Sequence, residues 1–362
     1  TYPLRIRVCT GCFLVQTEDF IGPDELFNSD YPYFSSTSYS WLKHTAQYCS
    51  MIQQRLSLNS KSLVVEVGSN DGYLLKNFVA ADVPCLGIEP TNSAANAAEQ
   101  LGIPIIRKFF GKNLSKELVR SGKKADLIVG NNVFAHVPDI NDFALGIKNL
   151  LKPNGTITLE FAHLLSLINN NQFDTVYHEH FSYLTLHVIE SIFKVAGLKV
   201  YDVEELITHG GSLRVYGCHK QDSRSTASGV QRLLEQECDR GLQTQKGYQG
   251  FQARSDKIMD DLLAFLIQKK RAGKKVAAYG AAAKGNTLLN YAGVKPDLLP
   301  YVCDAASSKQ GKYMPGSHIP ILSPEVLPKR RPDIVLILPW NIADEVITQN
   351  AYVHDWGGIF VV

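Results

Sequence analysis

The stretch Leu63-Val64-Val65-Glu66-Val67-Gly68-Ser69-Asn70-Asp71-Gly72-Tyr73-Leu74-Leu75 runs from a β-branched apolar segment into a glycine-bracketed turn and then into a helical pattern. Such a segment is a buried parallel strand that delivers a ligand-binding loop at its C-terminal end. The spacing is Gly68-x-x-x-Gly72, and Asp71 lies inside the loop. A dinucleotide pyrophosphate needs bare amides there, and a carboxylate would repel it. A cation needs the opposite. The sulfonium and α-amino groups of S-adenosylmethionine suit Glu66 and Asp71, with Gly68, Asn70 and Gly72 shaping the turn.

The next strand, Cys85-Leu86-Gly87-Ile88, ends in Glu89-Pro90, and Glu89 lies 21 residues beyond Gly68. An acid about 20 residues past such a loop is placed to bind the ribose hydroxyls of an adenosine. Rossmann-type methyltransferases share this arrangement. Residues 126–129 form the fourth strand, ending at Gly130-Asn131-Asn132-Val133-Phe134-Ala135-His136. Open α/β sheets bind ligands beyond their strand C-termini, so Asn131 and His136 face the cofactor site, with Asn132 between them.

Bulk properties narrow the class. With 362 residues, 45% of them hydrophobic, the chain can build two or three cored domains. A net charge of +2 with no long basic run argues against a nucleic-acid surface. No apolar run approaches the roughly 20 residues of a membrane span. Seven mostly scattered cysteines suit a reducing cytoplasm. The chain opens at Thr1 without Met, which reads as a trimmed fragment. Cys9-Thr10-Gly11-Cys12 is half of a tetrahedral zinc site, its partner pair expected upstream; plain thiols are the alternative.

Tyr31-Pro32-Tyr33-Phe34-Ser35-Ser36-Thr37-Ser38-Tyr39 is too polar for a core helix and reads as a packed linker or a substrate-facing loop. A helix over 42–56 leads into the cofactor loop. Helices over 92–100 and 140–150, strands over 103–106 and 156–161, and a turn at 152–155 continue a βα alternation, which means a parallel sheet. Gln172-Phe173-Asp174-Thr175-Val176-Tyr177-His178-Glu179-His180-Phe181 follows. His178 and His180 are too close in sequence to converge on a metal from a helix, and acid–base chemistry suits the cluster better, since imidazole titrates at about 6.5. Strands over 198–206 and 213–218 flank His209-Gly210-Gly211 as a hairpin. That triplet also forms oxyanion loops in esterases, but no Gly-x-Ser-x-Gly elbow occurs, so a hydrolase is set aside.

Residues 230–272 form a helical linker broken by Gly241, Gly247 and Gly250, with Ile258, Leu262, Phe265 and Leu266 on one face. A second α/β unit follows: a strand over 276–279, a helix opened by Gly280-Ala281-Ala282-Ala283-Lys284-Gly285-Asn286-Thr287, a strand over 300–303 ending at Asp304, and a strand over 334–338. Small residues and a Lys at a helix N-terminus suit a phosphate, and equally suit tight helix–sheet packing.

At this point the motifs at 66–72, 131–137, 173–180, 209–214 and 279–286 together resemble, over nearly the whole chain, the S-adenosylmethionine-dependent C-methyltransferases of deoxysugar biosynthesis. The resemblance implies a Rossmann-like methyltransferase domain, a second Rossmann-like α/β domain that helps hold the nucleotide, and the remnant of an N-terminal zinc-binding domain. The corresponding boundaries are 1–40, 41–220, 221–272 for the linker, and 273–362. It implies His180 as the catalytic base, with Tyr177 and Glu179 in the same pocket. A tyrosine of the aromatic stretch reaches the sugar, Tyr31 being the better match and Tyr33 lining the substrate site. His209, Gly211, Lys284, Asn286 and Asp304 complete the expected substrate contacts. The family's first Cys pair is absent, leaving Cys9 and Cys12 for zinc.

The expected reaction is methylation of C3 beside the 4-keto group of a nucleotide-diphosphate deoxysugar, a dTDP-linked one being a candidate. The alternatives are O- or N-methylation of a small molecule, and a nucleotide-sugar-binding or NAD-dependent protein.

Overall fold

The computed structural model describes residues 2–18, 22 and 34–362. The chain divides into two units: Arg5–Leu165 with His178–Gly247, and Thr1–Leu4 with Ser166–Tyr177 and Tyr248–Val362. Tyr31 and Tyr33 lie outside the described residues.

The strands of the first unit are β1 (Ile6–Val8), β2 (Val15–Thr17), β3 (Val64–Val67), β4 (Cys85–Ile88), β5 (Ile105–Ile106), β6 (Ala125–Asn131), β7 (Leu151–Ala162), β8 (Ser182–Tyr183), β9 (Leu198–Leu206) and β10 (Ser212–His219). Seven of them form one sheet in the order β5-β4-β3-β6-β7-β10-β9. All four residues of β3 are buried, as an interior parallel strand requires. The chain runs outward from β3 through β4 to β5, then returns to place β6 on the other side of β3. That reversal makes β3 and β6 the switch point, where a crevice opens beyond the strand ends.

The sheet is not wholly parallel, because β10 pairs antiparallel with both β7 and β9. The turn expected at 152–155 lies instead within β7, which starts at Leu151 and re-registers against β6 between Ala125 and Leu127. Lys152 donates to Asp126 at 2.7 Å across this irregularity, which accommodates Pro153, a residue without an amide proton. The strand expected at 103–106 shortens to β5, because the Ile103 amide closes the preceding helix on Ala98 and its side chain is buried in the core. A second, small antiparallel sheet, β1-β2-β8, places β8 directly after His180.

The helix Leu186–Ala196 escaped the sequence reading. Thr185 caps it by accepting from the Val188 amide, and the buried Glu237 accepts from the amides of Leu186 at 2.6 Å and His187 at 2.9 Å. A carboxylate at a helix N-terminus is favoured by the exposed amides and the macrodipole. Glu237 comes from the helix Ser228–Asp239, which thereby belongs to the first unit.

The second unit contains β11 (Val276–Tyr279), β12 (Val302–Cys303), β13 (Ile321–Leu322), β14 (Ile334–Ile337) and β15 (Ile359–Val361). They form an all-parallel sheet, β13-β12-β11-β14-β15, with an apolar cluster on each face. The helix Phe251–Arg271, read as linker, buries Leu266 in one of these clusters with Val276 and Leu289. Its expected apolar face is cut short: Met259, Leu262, Leu263 and Phe265 pack there, while Ile258 is 39% exposed. Among the described residues, no helix is long and apolar enough to cross a membrane.

Candidate active site

The loop after β3 is held largely by bonds from its backbone amides. The amides of Gly68 and Ser69 donate to the Ile88 carbonyl at 2.9 and 3.2 Å, and the Asn70 amide donates to Glu89 Oε2 at 3.0 Å. Glu89 Oε1 accepts from the Thr91 amide at 2.8 Å and hydroxyl at 2.6 Å. Glu89 therefore ties the end of β4 to the loop. Gly72 has φ +78°, and a Cβ there would meet Ile103 at 2.5 Å, so both conformation and space demand glycine. Asn70 Oδ1 and Asp71 Oδ2 accept from the amides of Ser35 and Ser36 at 2.9 and 3.1 Å.

What remains is a set of buried polar atoms with no partner among the described residues, Ser69 Oγ, Asp71 Oδ1 and both amide atoms of Asn131, beside a Glu66 carboxyl that faces the Tyr73 hydroxyl. Burying such groups unpaired is costly, and their concentration at the switch point marks a ligand that satisfies them. Burial pushes the Glu66 carboxyl well above its ordinary range; the Tyr73 hydroxyl counters this, and Asp71 and Glu89 reinforce it. Three carboxyls gathered round one loop suit a cation. The set fits S-adenosylmethionine, which would meet Glu66 and Asp71 with its positive groups.

Beyond β6, the Asn132 amide donates to the Glu160 carbonyl at 2.7 Å, and Asn132 Nδ2 pairs with His209 Nε2 at 3.0 Å. The His209 ring lies 4.9 Å from that of Trp41. Gly211, with φ +120°, lets the hairpin turn back so that its carbonyl receives the His163 amide.

His136 and His180 meet edge to face, ring centroids 4.8 Å apart at 70°. His136 is fully buried; burial lowers its pKa to about 4, against a bond to the Glu179 backbone, so its ring is neutral. The Phe181 amide donates to the Ala135 carbonyl at 2.8 Å, and Thr17 Oγ1 donates to the His180 carbonyl at 2.7 Å. His180 is thus clamped between the loop after β6 and the small sheet, and is 9% exposed.

Sequence reasoning missed the charged cluster beneath the 208–211 turn. Arg214 Nη2 donates to Glu160 Oε2 at 2.7 Å, and Arg214 Nη1 to Glu204 Oε2 at 2.7 Å. Thr208 Oγ1 donates to Glu160 Oε1 at 3.1 Å, and His44 Nε2 lies 2.9 Å from the same oxygen. Burial alone would raise the Glu160 carboxyl, but His44 and Arg214 outweigh it and hold it below its ordinary value. The available signal was a glutamate inside the apolar run Thr156-Ile157-Thr158-Leu159-Glu160-Phe161.

In the second unit, Lys284 Nζ donates to Asn341 Oδ1 at 3.0 Å and lies 4.4 Å over the Trp340 ring. Burial depresses its pKa to about 8, against the pull of Asp174. Asn286 Oδ1 is buried with no partner among the described residues. Asp304 accepts from the amides of Ala281 at 2.7 Å and Ala306 at 2.8 Å, so it occupies an amide at the mouth of the glycine-rich turn. A Cβ at Gly285 would meet Leu338 at 2.6 Å, which accounts for that small residue by packing. Tyr177 belongs to this unit.

Cys9 and Cys12 are exposed thiols, and the Cys12 and Gly11 amides draw the Cys9 thiol below its ordinary value. Two thiols fill half of a tetrahedral zinc shell. Among the described residues no group of three metal-ligating side chains forms, so these residues do not fit a closed zinc site.

Residues 41–203 match a family described as a methyltransferase domain, and residues 207–362 match the C-methyltransferase C-terminal domain. The C-methyltransferase NovU of Streptomyces niveus is 34% identical over 361 residues, covering 100% of this chain and 86% of that protein. An S-adenosylmethionine-dependent methyltransferase from Clostridium acetobutylicum ATCC 824 aligns with 49% of this chain and 92% of its own, at 11% identity and TM-score 0.40. Magnesium protoporphyrin IX methyltransferase (ChlM) from Synechocystis PCC 6803 aligns with 51% of this chain and 88% of its own, at 15% identity and TM-score 0.39. These two alignments are too loose to bear on the site. The full-length relative and the two domain matches, laid over a switch-point loop lined by buried acids, agree: this chain belongs to the C-methyltransferase family and is an S-adenosylmethionine-dependent C-methyltransferase.

Proposed function

We propose that the enzyme methylates C3 of a nucleotide-diphosphate-linked 4-keto-deoxysugar, with His180 as the base. The observation that carries this reading is the seating of His180: buried, its carbonyl held by Thr17, and beside a histidine kept neutral. Carbon is a poor nucleophile until a proton leaves, and a C-methyltransferase needs a group to take it. A protonated neighbour would oppose a base gaining charge; the neutral His136 does not.

When bound, S-adenosylmethionine supplies an electrophilic methyl on a positive sulfur. The chain's residues do the rest. Glu66 and Asp71 would hold the positive groups, and Glu89, already bonded to the loop, presents its carboxylate toward ribose hydroxyls. His180 removes the C3 proton, and the electron pair moves into an enolate whose oxygen needs donors worth about 3 kcal/mol each. Tyr177 and Glu179 are proposed to orient and polarise, with Tyr31 and Tyr33 reaching the sugar. His209 and Gly211 are assigned to the sugar side, and Lys284, Asn286 and Asp304 to the nucleotide. Seven free thiols support a reducing cytoplasmic setting.

The test separates proton removal from methyl transfer. With dTDP-4-keto-6-deoxyglucose and S-adenosylhomocysteine in deuterated water, the wild-type enzyme should exchange the C3 hydrogen. His180→Asn should lower exchange and methylation together by about 10² or more while both ligands still bind. Exchange at C5, which also flanks the ketone, would overturn the C3 assignment. A near wild-type rate in His180→Asn would overturn the base, leaving His136 and His178 as the next to test.

A further inference from the structure

The segment that leads into the reactive motif belongs to the C-terminal unit, not to the methyltransferase unit. Residues 173–176 are all buried. Three independent contacts fix them there. Trp340 Nε1 donates to Asp174 Oδ2 at 2.6 Å. Thr287 Oγ1 donates to the Val176 carbonyl at 2.7 Å. The rings of Phe173 and Tyr291 lie 5.4 Å apart. Thr287 and Tyr291 sit on the helix Ala283–Tyr291, one and two turns beyond Lys284, whose amine lies over the Trp340 ring. The helix after the glycine-rich turn and the loop carrying Trp340 therefore grip one short stretch, whose next residue is Tyr177.

We propose that Trp340 and Thr287 are positioning residues: they fix residues 173–177 so that Tyr177, and the His178-Glu179-His180 run that continues from it, start from a rigid end. This rests on the reading of His180 as the base. The methyltransferase unit holds the other end of the motif through Thr17 and Ala135. A segment whose start is fixed loses less freedom when the side chains that follow are oriented, and misplacement by about 1 Å can cost 10²-fold in rate.

The test uses the full chain with Trp340→Phe, which keeps a ring under Lys284 but removes the indole N–H, and Thr287→Val, which keeps shape but removes the hydroxyl. With dTDP-4-keto-6-deoxyglucose, kcat should fall about tenfold in each, the loss expected for one bond to a charged or carbonyl oxygen. Solvent exchange of the sugar hydrogen should fall in parallel. S-adenosylhomocysteine affinity should stay within about twofold and the melting temperature within ~2 °C, and Thr287→Ser should restore the rate. Amide hydrogen exchange over 173–180, read without substrate, should rise in both variants. Wild-type kcat with unchanged amide exchange would overturn the proposal, as would a rate loss matched by weaker S-adenosylhomocysteine binding and lower melting. A wild-type enzyme inert toward the sugar nucleotide would sink the substrate reading instead, with the amide exchange still deciding the anchoring.

Discussion

Replacing Glu66 by Gln tests whether the loop is built around a cation. Glu66 is 0% exposed, its carboxyl faces the Tyr73 hydroxyl, and its burial beside Asp71 and Glu89 disfavours its ionised form. Without ligand the group therefore keeps its proton to higher pH than an ordinary glutamate. A bound cation favours the carboxylate, so cofactor binding should release up to one proton, and affinity should rise with pH by at most tenfold per unit while the raised pKa lies above the working pH. Glu66→Gln removes both the charge and that slope. Losing hydrogen bonds to a charged group costs about 1.5–3 kcal/mol, or roughly 10–150-fold in Kd. Stability moves the other way. A carboxyl whose folded pKa is raised contributes fully below its unfolded value of about 4.3 and loses that contribution as pH rises through the folded value. The unliganded variant should therefore melt no lower than wild type at pH 7, with less decline toward alkaline pH. Calorimetry of S-adenosylmethionine binding in buffers of different ionisation enthalpy counts the protons, and thermal melts over pH 6–9 give the stability arm. Equal affinity and equal proton release in Glu66→Gln would refute the reasoning and move the cation's partner elsewhere.

Three further outcomes are expected. Glu89→Ala should weaken S-adenosylmethionine at least about tenfold by calorimetry, since it removes the proposed ribose acceptor and the tie on the Asn70 amide; unchanged affinity would move the ribose site off β4. Arg214→Met strands Glu160 in the core and should cost about 3–5 kcal/mol, read as a melting temperature lower by ~10 °C. Because the Glu160 carboxyl is held low, the contribution it makes to stability is present above about pH 4.3 and lost as pH falls through the folded value, so the wild-type advantage should vanish in acid. Lys284→Met should raise the sugar-nucleotide KM and leave S-adenosylhomocysteine binding intact. Since burial depresses the Lys284 pKa to about 8, wild-type stability should rise with pH from about 8 to 10, and the variant should lack that rise.

Local order and periodicity made the strand–loop–strand logic at 64–72 and 85–89 legible, because a buried parallel strand and a switch-point loop each write their own composition. The helices at 92–100 and 140–150 and the strand at 276–279 follow the same rule. Other features depend on partners far along the chain. Glu160, Arg214 and His44 are separated by 54 and 116 residues, and only the sheet and the helix Tyr39–Leu56 bring their charges together. The neutrality of His136 comes from burial, which no spacing encodes. The same holds for residues 166–177, which run on without a break into the Tyr177–His180 motif yet pack with the C-terminal sheet unit. Sequence alone determined which short segments form strands and loops and which acids those loops carry, since those are properties of neighbouring residues. Tertiary structure decided which side chains are spent on one another and which are left for a ligand, because desolvation and pairing energies depend on neighbours in space rather than along the chain.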